Sequence, residues 1–274
     1  REIGCIGARE LMPRRDHEEH GMNDLDIQLL CQRMGLGPVE MDDEARLLAQ
    51  GTRAVPSLRR TIPTALPRQR ATLARMLCVL GDSFGNAYLL ERLDHFLSEE
   101  TLPIAVNSRH IFPDNGVAPV PVFYIHALAL TREPELVSRL ERVMEKLRLD
   151  PEVADYTFSY AYAMCYAAER LASQEILPII ERLLDDPAIS SRRVGHEEDL
   201  RKCADPVADR YAYIELSGYR ALARCGVERG WYGLVDYLED RRSFLHRSAL
   251  DELKDLSEMD FGYDVSRWLS WIQD

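Results

Sequence analysis

Histidines beside glutamates are the first residues of this sequence whose type and spacing could do chemistry. His17-Glu18-Glu19-His20 and His196-Glu197 combine imidazole and carboxylate groups, and both groups bind divalent metals. The first group lies in an irregular amino-terminal extension and the second in a long loop, so four ligands are not expected to converge. We therefore predict solvated polar segments and no metal site. A metal-dependent enzyme built on helical repeats is the alternative function.

The residue pattern does not indicate a nucleophilic catalytic site either. The sequence has no Gly-x-Ser-x-Gly turn to expose a serine, and no cysteine has a base at a recognisable spacing. The six cysteines are scattered singly, at Cys5, Cys31, Cys78, Cys165, Cys203 and Cys225. Cys78, Cys165 and Cys225 fall in apolar helical stretches, where a thiol packs as a small apolar group. We predict no catalytic residue, reduced cysteines and a cytoplasmic location.

Five basic residues in two long connections form the candidate binding site. The connections are residues 101–121 and 187–209, and both exceed the usual length of ~4 to 6 residues. They carry Arg109, His110, Arg192, Arg193 and His196. Loops of this length are usually functional or disordered, so the basic cluster predicts contact with an acidic partner or domain. The alternative is a pair of mobile, solvated loops.

The composition excludes several classes of function. The 274 residues include 34 basic and 46 acidic side chains, which gives a net charge of −12. This balance argues against nucleic acid as a partner, because phosphate binding needs clustered cations. No apolar run approaches the ~18 residues of a membrane span, and no signal peptide is evident. Because residue 1 is Arg, we expect a piece of a longer protein.

The elements that must position these residues are helices, because apolar residues recur at helical spacing from about Met41 onward. Strand signals are nearly absent, so we predict an all-α fold with an irregular extension at residues 1–40 and a repeat domain at 41–274. Six helix pairs are predicted, at 43–50 with 53–62, 68–80 with 85–97, 122–130 with 134–147, 153–172 with 174–184, 210–225 with 229–238, and 243–256 with 265–272.

Self-similarity between the pairs indicates a repeat fold. Aligning Leu80-Gly81-Asp82 with Cys225-Gly226-Val227 also places Leu89 and Leu93 over Leu234 and Leu238. In both copies a glycine follows the first helix, where a left-handed residue ends a helix at low cost. Proline lies in the first turn of two other helices, at Val55-Pro56 and Leu177-Pro178.

Burial patterns agree with stacked helix pairs. Residues 160–168 carry no charge, so this helix should be covered on several sides. The helix at 134–147 has a single apolar stripe, which is typical of a helix in the outer layer. We predict an α-solenoid whose two long connections lie on the same edge and form a shared contact surface. Four tyrosines at helical spacing are expected in the core, with a ligand groove as the alternative: Tyr156, Tyr160, Tyr162 and Tyr166.

The repeat pattern resembles bacterial HEAT repeats. The motifs that carry the resemblance are the Gly-Asp and Gly-Val turns, the Val-Pro-x-Leu helix starts, and a closing segment made of Arg247-Ser248-Ala249-Leu250, Leu253, Leu256, Phe261-Gly262-Tyr263-Asp264, Trp268 and Trp271. Glu258 departs from the glycine expected in the last turn, which puts the shape of that turn in doubt. Asp264 is expected to cap the final helix, and Trp268 and Trp271 are expected to seal the last layer.

Residues 116–274 are also similar to the carboxyl-terminal helical region of some bacterial FAD-dependent oxidoreductases. The resemblance implies a flavin, but the nearest glycine motif, Gly4-Cys5-Ile6-Gly7, lacks the third glycine and the preceding strand of a dinucleotide site. FAD would therefore belong to an amino-terminal part outside this sequence. We expect an accessory module without its own chemistry that docks another protein or domain through the rim loops or the concave face.

Overall fold

The computed structural model of the 274-residue chain describes residues 22–34, 41–103, 119–149, 154–202 and 206–273. Within these ranges the chain forms 14 α-helices and no β-strand, so the all-α prediction is confirmed. The helices are α1 (Asp24–Arg33), α2 (Met41–Leu48), α3 (Val55–Thr61), α4 (Pro67–Val79), α5 (Asn86–Leu97), α6 (Val120–Leu130), α7 (Leu136–Lys146), α8 (Ala154–Leu171), α9 (Leu177–Leu184), α10 (Glu197–Lys202), α11 (Pro206–Arg224), α12 (Glu228–Tyr237), α13 (Ser243–Ser257) and α14 (Val265–Gln273). None of the helices described here has the length and apolar character needed to cross a bilayer.

All the predicted helices are present, with ends that differ by a few residues. The structure adds two helices that the sequence pattern does not predict. Helix α10 lies inside the connection 187–209, and α1 lies in the extension that was expected to be irregular, so that expectation is wrong for residues 24–33. Asn23 caps α1 by accepting a hydrogen bond from the Asp26 amide at 2.9 Å. Helix α1 packs against α3 through its buried side chains.

The helices pack in chain order. The first helices of successive pairs contact one another from α4 through α6, α8 and α11 to α13, and the second helices α5, α7 and α9 do the same. Two apolar clusters result: one runs from α1 to α11 and the other joins α11, α12, α13 and α14. Tyr219 of α11 packs against both clusters, so this helix links the two halves of the core.

The aligned turns have the same backbone geometry. Gly81 and Gly226 have φ angles of 78° and 77°, the left-handed conformation that glycine adopts without a Cβ penalty. In each turn the next amide donates back to a carbonyl of the last helical turn, Asp82 to Leu77 at 2.8 Å and Val227 to Leu222 at 2.9 Å. The glycine prediction is therefore confirmed in both copies.

The closing segment keeps the expected geometry although one residue type differs. Glu258 has a φ of 59° at the end of α13, so it adopts the left-handed conformation of the glycine it replaces. The amide of Arg267 donates to Asp264 Oδ1 at 3.1 Å, which confirms the cap of α14. Trp268 is fully buried and donates its Nε1 hydrogen to the Gly262 carbonyl at 2.9 Å.

Helix α8 contributes an uncharged, buried stretch to the first cluster. Tyr160 and Cys165 are fully buried, as are the alanines around them. Tyr162 and Tyr166 are half-buried, and the ring of Tyr162 stacks on that of Tyr213 at 5.7 Å. The side chain of Tyr156 lies outside the described part. Two of the four tyrosines thus lie at the edge of the core, beside His126.

Candidate functional site

The segment 187–196, which joins α9 to α10, carries three of the five predicted binding residues. Arg192, Arg193 and His196 are described, whereas Arg109 and His110 lie outside the described residues. The shared surface of the two long connections therefore stays a prediction. What the structure gives is the local setting of the second connection.

Glu215 of α11 anchors one end of this segment. Its carboxylate accepts hydrogen bonds from the amides of Ser191 at 2.9 Å and Arg192 at 2.7 Å. The hydroxyls of Tyr219 and Tyr237 donate to the same carboxylate at 3.2 and 2.7 Å. The side chain is buried, so these donors replace the water that a carboxylate loses on burial.

Asp240 and Arg242 anchor the other end. The amide of Val194 donates to Asp240 Oδ2 at 2.9 Å, and Arg242 Nη2 donates to the Arg192 carbonyl at 2.6 Å. Arg242 also pairs with Asp240 at 2.7 Å, with side-chain exposures of 6% and 0%. Such anchoring does not fit the alternative of a solvated, mobile loop for residues 191–194. We call Glu215, Asp240 and Arg242 the loop anchor.

Arg192 serves the loop itself. Its Nε donates to the Ala188 carbonyl at 2.7 Å and its Nη2 to the Pro187 carbonyl at 3.1 Å. The guanidinium also lies over the ring of Tyr211 at 5.8 Å. Through these bonds Arg192 acts as a clamp on the loop. Its contact with a partner stays a prediction, because a guanidinium has five N–H donors and these bonds use two of them.

Arg193 and His196 instead line an open cleft of about 610 Å³ between the loop and the α12–α13 turn. The lining residues are Arg193, Gly195, His196, Leu238, Glu239, Asp240, Arg241, His246 and Tyr263. Four of them, Arg193, His196, Arg241 and His246, carry basic groups. We call this site the basic cleft.

Sequence reasoning missed Arg241, His246 and Tyr263 as parts of this site. They lie about 45 to 70 residues after the loop in the sequence, and no local periodicity relates the two segments. Arg241 meets the loop through two bonds: its amide donates to the Val194 carbonyl at 2.9 Å and its Nε to the Gly195 carbonyl at 3.1 Å. The sequence feature that could have indicated this part of the site is the Arg241-Arg242 pair. Two adjacent arginines, however, more often indicate a solvated surface than a binding site.

The geometry of His246 fixes which of its nitrogens faces a ligand. Nδ1 lies 3.0 Å from the Asp240 carbonyl oxygen, and a carbonyl only accepts, so Nδ1 carries the hydrogen. Nε2 is then the nitrogen left for a ligand. The ring packs edge-on against Tyr263 at 5.1 Å, and Tyr263 is 51% exposed.

A second group of charged side chains connects three helices. Glu252 is buried, whereas Glu169, Arg220 and Arg224 are partly exposed. Arg220 and Glu252 also line a smaller cavity. Glu252 of α13 lies 2.5 Å from Arg224 Nε and 3.2 Å from Arg220 Nε, and Glu169 of α8 lies 3.4 Å from Arg220 Nη2. Burial raises the pKa of Glu169, while both arginines oppose that shift. We call these four residues the inter-helix network. The adjoining cavity of about 370 Å³ also exposes Phe244 and Asp251.

The described cysteines are poor nucleophiles. Burial raises the pKa of Cys31 and Cys225 to about 11 and that of Cys78 to about 12, and it also raises the pKa of Cys165. A raised pKa keeps the thiol protonated and removes the reactive thiolate. All four are buried, as predicted for the three in helical stretches. Cys5 and Cys203 lie outside the described residues.

Metal and flavin sites were tested against the same residues. The described part of the chain contains no group of three or more histidine, cysteine, aspartate or glutamate side chains placed to hold a metal. His196 and Glu197 are both exposed, and residues 17–20 lie outside the described ranges. A dinucleotide cradle needs a strand before its glycine turn, and the described ranges form no strand. Gly4 and Gly7 lie outside those ranges, so the placement of FAD stays a prediction.

Comparison of the chain with protein-family models, with curated proteins and with solved structures finds no match. The resemblances to HEAT repeats and to flavoprotein helical regions therefore stay predictions. The function has to be argued from the geometry of the basic cleft.

Proposed function

We propose that this chain is a non-catalytic interaction module of HEAT-like helical repeats that docks another protein or domain at the basic cleft. The observation that carries the proposal is the anchored loop. Three buried charged side chains hold residues 191–194 in one place, and Arg193 and His196 are thereby presented to the cleft.

The cost of the loop anchor supports a binding role. Burying charged groups is expensive unless every one is paired and hydrogen-bonded. The segment contributes little to the apolar clusters, with Ile189 and Val194 as its buried apolar side chains. Its fixed conformation is therefore better explained by the surface that it presents than by the core that it covers.

The packing order supports the solenoid architecture in this proposal. Helices that contact mainly their neighbours in sequence are typical of repeat proteins, in which each pair is stabilised by the next. In this chain α6 lies between α4 and α8, and α8 between α6 and α11. Repeat arrays of this type commonly bind partners along their faces and edges.

The proposal extends to the parent protein. If the predicted resemblance of residues 116–274 to helical regions of bacterial FAD-dependent oxidoreductases holds, the chain is an accessory region of such an enzyme. The flavin would then be bound by another part of that protein. The reading frame upstream of Arg1 tests this point, because it should encode a strand followed by a Gly-x-Gly-x-x-Gly turn.

Selection from a displayed library of random peptides tests the docking site. Peptides are selected on the wild-type chain and then measured on the Arg193→Glu/His196→Glu double variant. Arg182→Glu, an exposed site on α9 outside the cleft, is the matched control. We expect peptides that bind the wild type and the control equally and bind the double variant at least about tenfold more weakly, a loss of about 1.4 kcal/mol.

Two results would contradict the proposal. One is a selection whose peptides bind the double variant as tightly as the wild type, while thermal unfolding shows that all three chains are folded. The other is stoichiometric iron or zinc in the purified chain, which would favour the metal-dependent enzyme.

A further inference from the structure

We propose that the ligand of the basic cleft is an extended acidic peptide segment, bound through several aspartate or glutamate carboxylates. This inference rests on the proposed docking function and adds the chemistry of the partner. It is argued from the charges that line the cleft and from their spacing.

The cations of the cleft keep donors available for a ligand. A guanidinium has five N–H donors. Arg193 uses Nη1 on Glu239 at 3.2 Å, and Arg241 uses Nε on the Gly195 carbonyl at 3.1 Å. Arg193 has a side-chain exposure of 38%, so its fork remains reachable. Guanidinium forks match carboxylates in a bidentate geometry.

The acidic groups of the cleft wall are largely compensated. Asp240 accepts from Arg242 on both oxygens, from the Arg242 amide on Oδ1 and from the Val194 amide on Oδ2. Its charge is cancelled within the loop anchor. Glu239 is the remaining carboxylate of the lining, and it is 59% exposed in its pair with Arg193. An exposed pair of this kind contributes little to stability, so an incoming carboxylate can compete for Arg193.

The spacing of the basic groups favours a chain over a single small anion. They come from three segments, with Arg193 and His196 on the loop, Arg241 in the α12–α13 turn and His246 in α13. A volume of about 610 Å³ is far larger than one carboxylate. Consecutive acidic side chains of one peptide can reach these groups together, with Tyr263 packing against the peptide stem.

The net charge of −12 does not prevent this binding at physiological salt. The Debye length at 0.15 M ionic strength is about 8 Å. Charges farther than this from the cleft are largely screened. A partner that meets this cleft is selected by short-range complementarity.

The test measures the binding of a fluorescently labelled oligoglutamate peptide by anisotropy at 0.15 M salt. Oligolysine and oligoglutamine of equal length are the comparison peptides, and inorganic phosphate is the competitor. We expect binding of oligoglutamate alone, with no displacement by millimolar phosphate.

Two substitutions should move the affinity in opposite directions. Arg193→Gln removes one cation and should weaken binding about fivefold, whereas Glu239→Gln removes the competing carboxylate and should tighten it about threefold. Arg182→Gln, outside the cleft, should leave the affinity within about twofold. Because Glu239→Gln predicts a gain, a misfolded variant cannot imitate the expected result.

The two proposals fail in different ways. Library peptides that depend on the cleft but carry no acidic residues would overturn this inference and leave the docking function standing. Equal affinities of the Arg193→Gln, Glu239→Gln and wild-type chains for oligoglutamate would also overturn it, as would displacement by phosphate. A selection without any cleft-dependent peptide would overturn the docking function itself.

Discussion

The loop anchor and the inter-helix network are both built from charged side chains of α11 and its neighbours, but they bond to different partners. The anchor is buried, whereas only Glu252 of the network is. Glu215 and Asp240 accept from backbone amides of the loop. Glu169 and Glu252 pair with arginine side chains of a neighbouring helix. The first arrangement fixes a segment that has no regular structure, and the second fixes helices relative to one another.

This difference separates two uses of buried charge in one molecule. Amide donors of a loop have no helical partner, so a carboxylate that accepts from them determines the loop conformation. Side-chain pairs between helices add little to what apolar packing already specifies, yet losing one partner leaves the remaining, partly buried charges with fewer opposite charges. Damage to the network should therefore change global stability, and damage to the anchor should change local order.

The largest effect is expected for Glu252→Ala. Its removal leaves Arg220 and Arg224 half-buried with one carboxylate fewer between them, which should cost about 3 kcal/mol of unfolding free energy. Urea unfolding measures the change. Glu239→Ala, which breaks an exposed pair, is the matched control and should cost less than about 1 kcal/mol. Equal losses in the two variants would contradict a structural role for the network.

Glu215→Gln should sharpen the comparison through hydrogen exchange. The amide loses the negative charge that accepts from Ser191 and Arg192, so we expect a loss of about 2 kcal/mol and faster exchange of those two amides. Glu252→Ala should not accelerate these amides beyond the change in global stability. If both variants accelerate them alike, the loop is not held by the anchor.

His126 of α6 provides a buried titratable group that belongs to neither cluster. Burial lowers its pKa from 6.5 to about 4. As the pH drops, the unfolded chain binds a proton at His126 before the folded chain does. The free energy of unfolding should therefore fall by about 2 kcal/mol between about pH 6.5, the pKa in the unfolded chain, and pH 4. In urea unfolding across this pH range, the His126→Phe variant should lack this fall in unfolding free energy. The exposed His95→Phe variant should keep it.

The smallest effect is expected at an exposed carboxylate. Asp264→Ala removes the cap of α14 and should cost about 1 kcal/mol, read as a lower melting temperature. Asp264→Asn keeps an oxygen acceptor at the same place and should be close to neutral. A melting curve that is unchanged in the alanine variant would remove the capping role.

Much of the fold could be predicted from local pattern. The glycine turns at Gly81 and Gly226 and the cap at Asp264 depend on residues a few positions apart, so spacing is sufficient to find them. The sequence pattern does not predict helix α1, because Leu25 and Leu29 lie outside its buried face, with exposures of 64% and 52%, and its apolar residues form no single stripe. Its amino-terminal cap at Asn23 was the signal that could have found it.

The candidate site was only half predictable. Loop length and residue type indicated Arg193 and His196, which line the cleft. The same reasoning indicated Arg192, whose contact with a partner stays a prediction. The side chains of the two neighbouring arginines point in different directions. Arg192 donates to the Pro187 and Ala188 carbonyls of its own loop, whereas Arg193 lines the cleft. Residue type carries no information about that direction.

The sequence by itself determined all the helices except α1 and α10, their ends to within a few residues, and the apolar faces, because those properties follow from contacts within one or two turns. Only the tertiary structure decided that Glu215 and Asp240 close on loop amides and bring Arg241 and His246 to the same cleft. The contacts with the loop amides join residues 23 to 46 positions apart, and their free energy depends on burial that only the assembled helices provide.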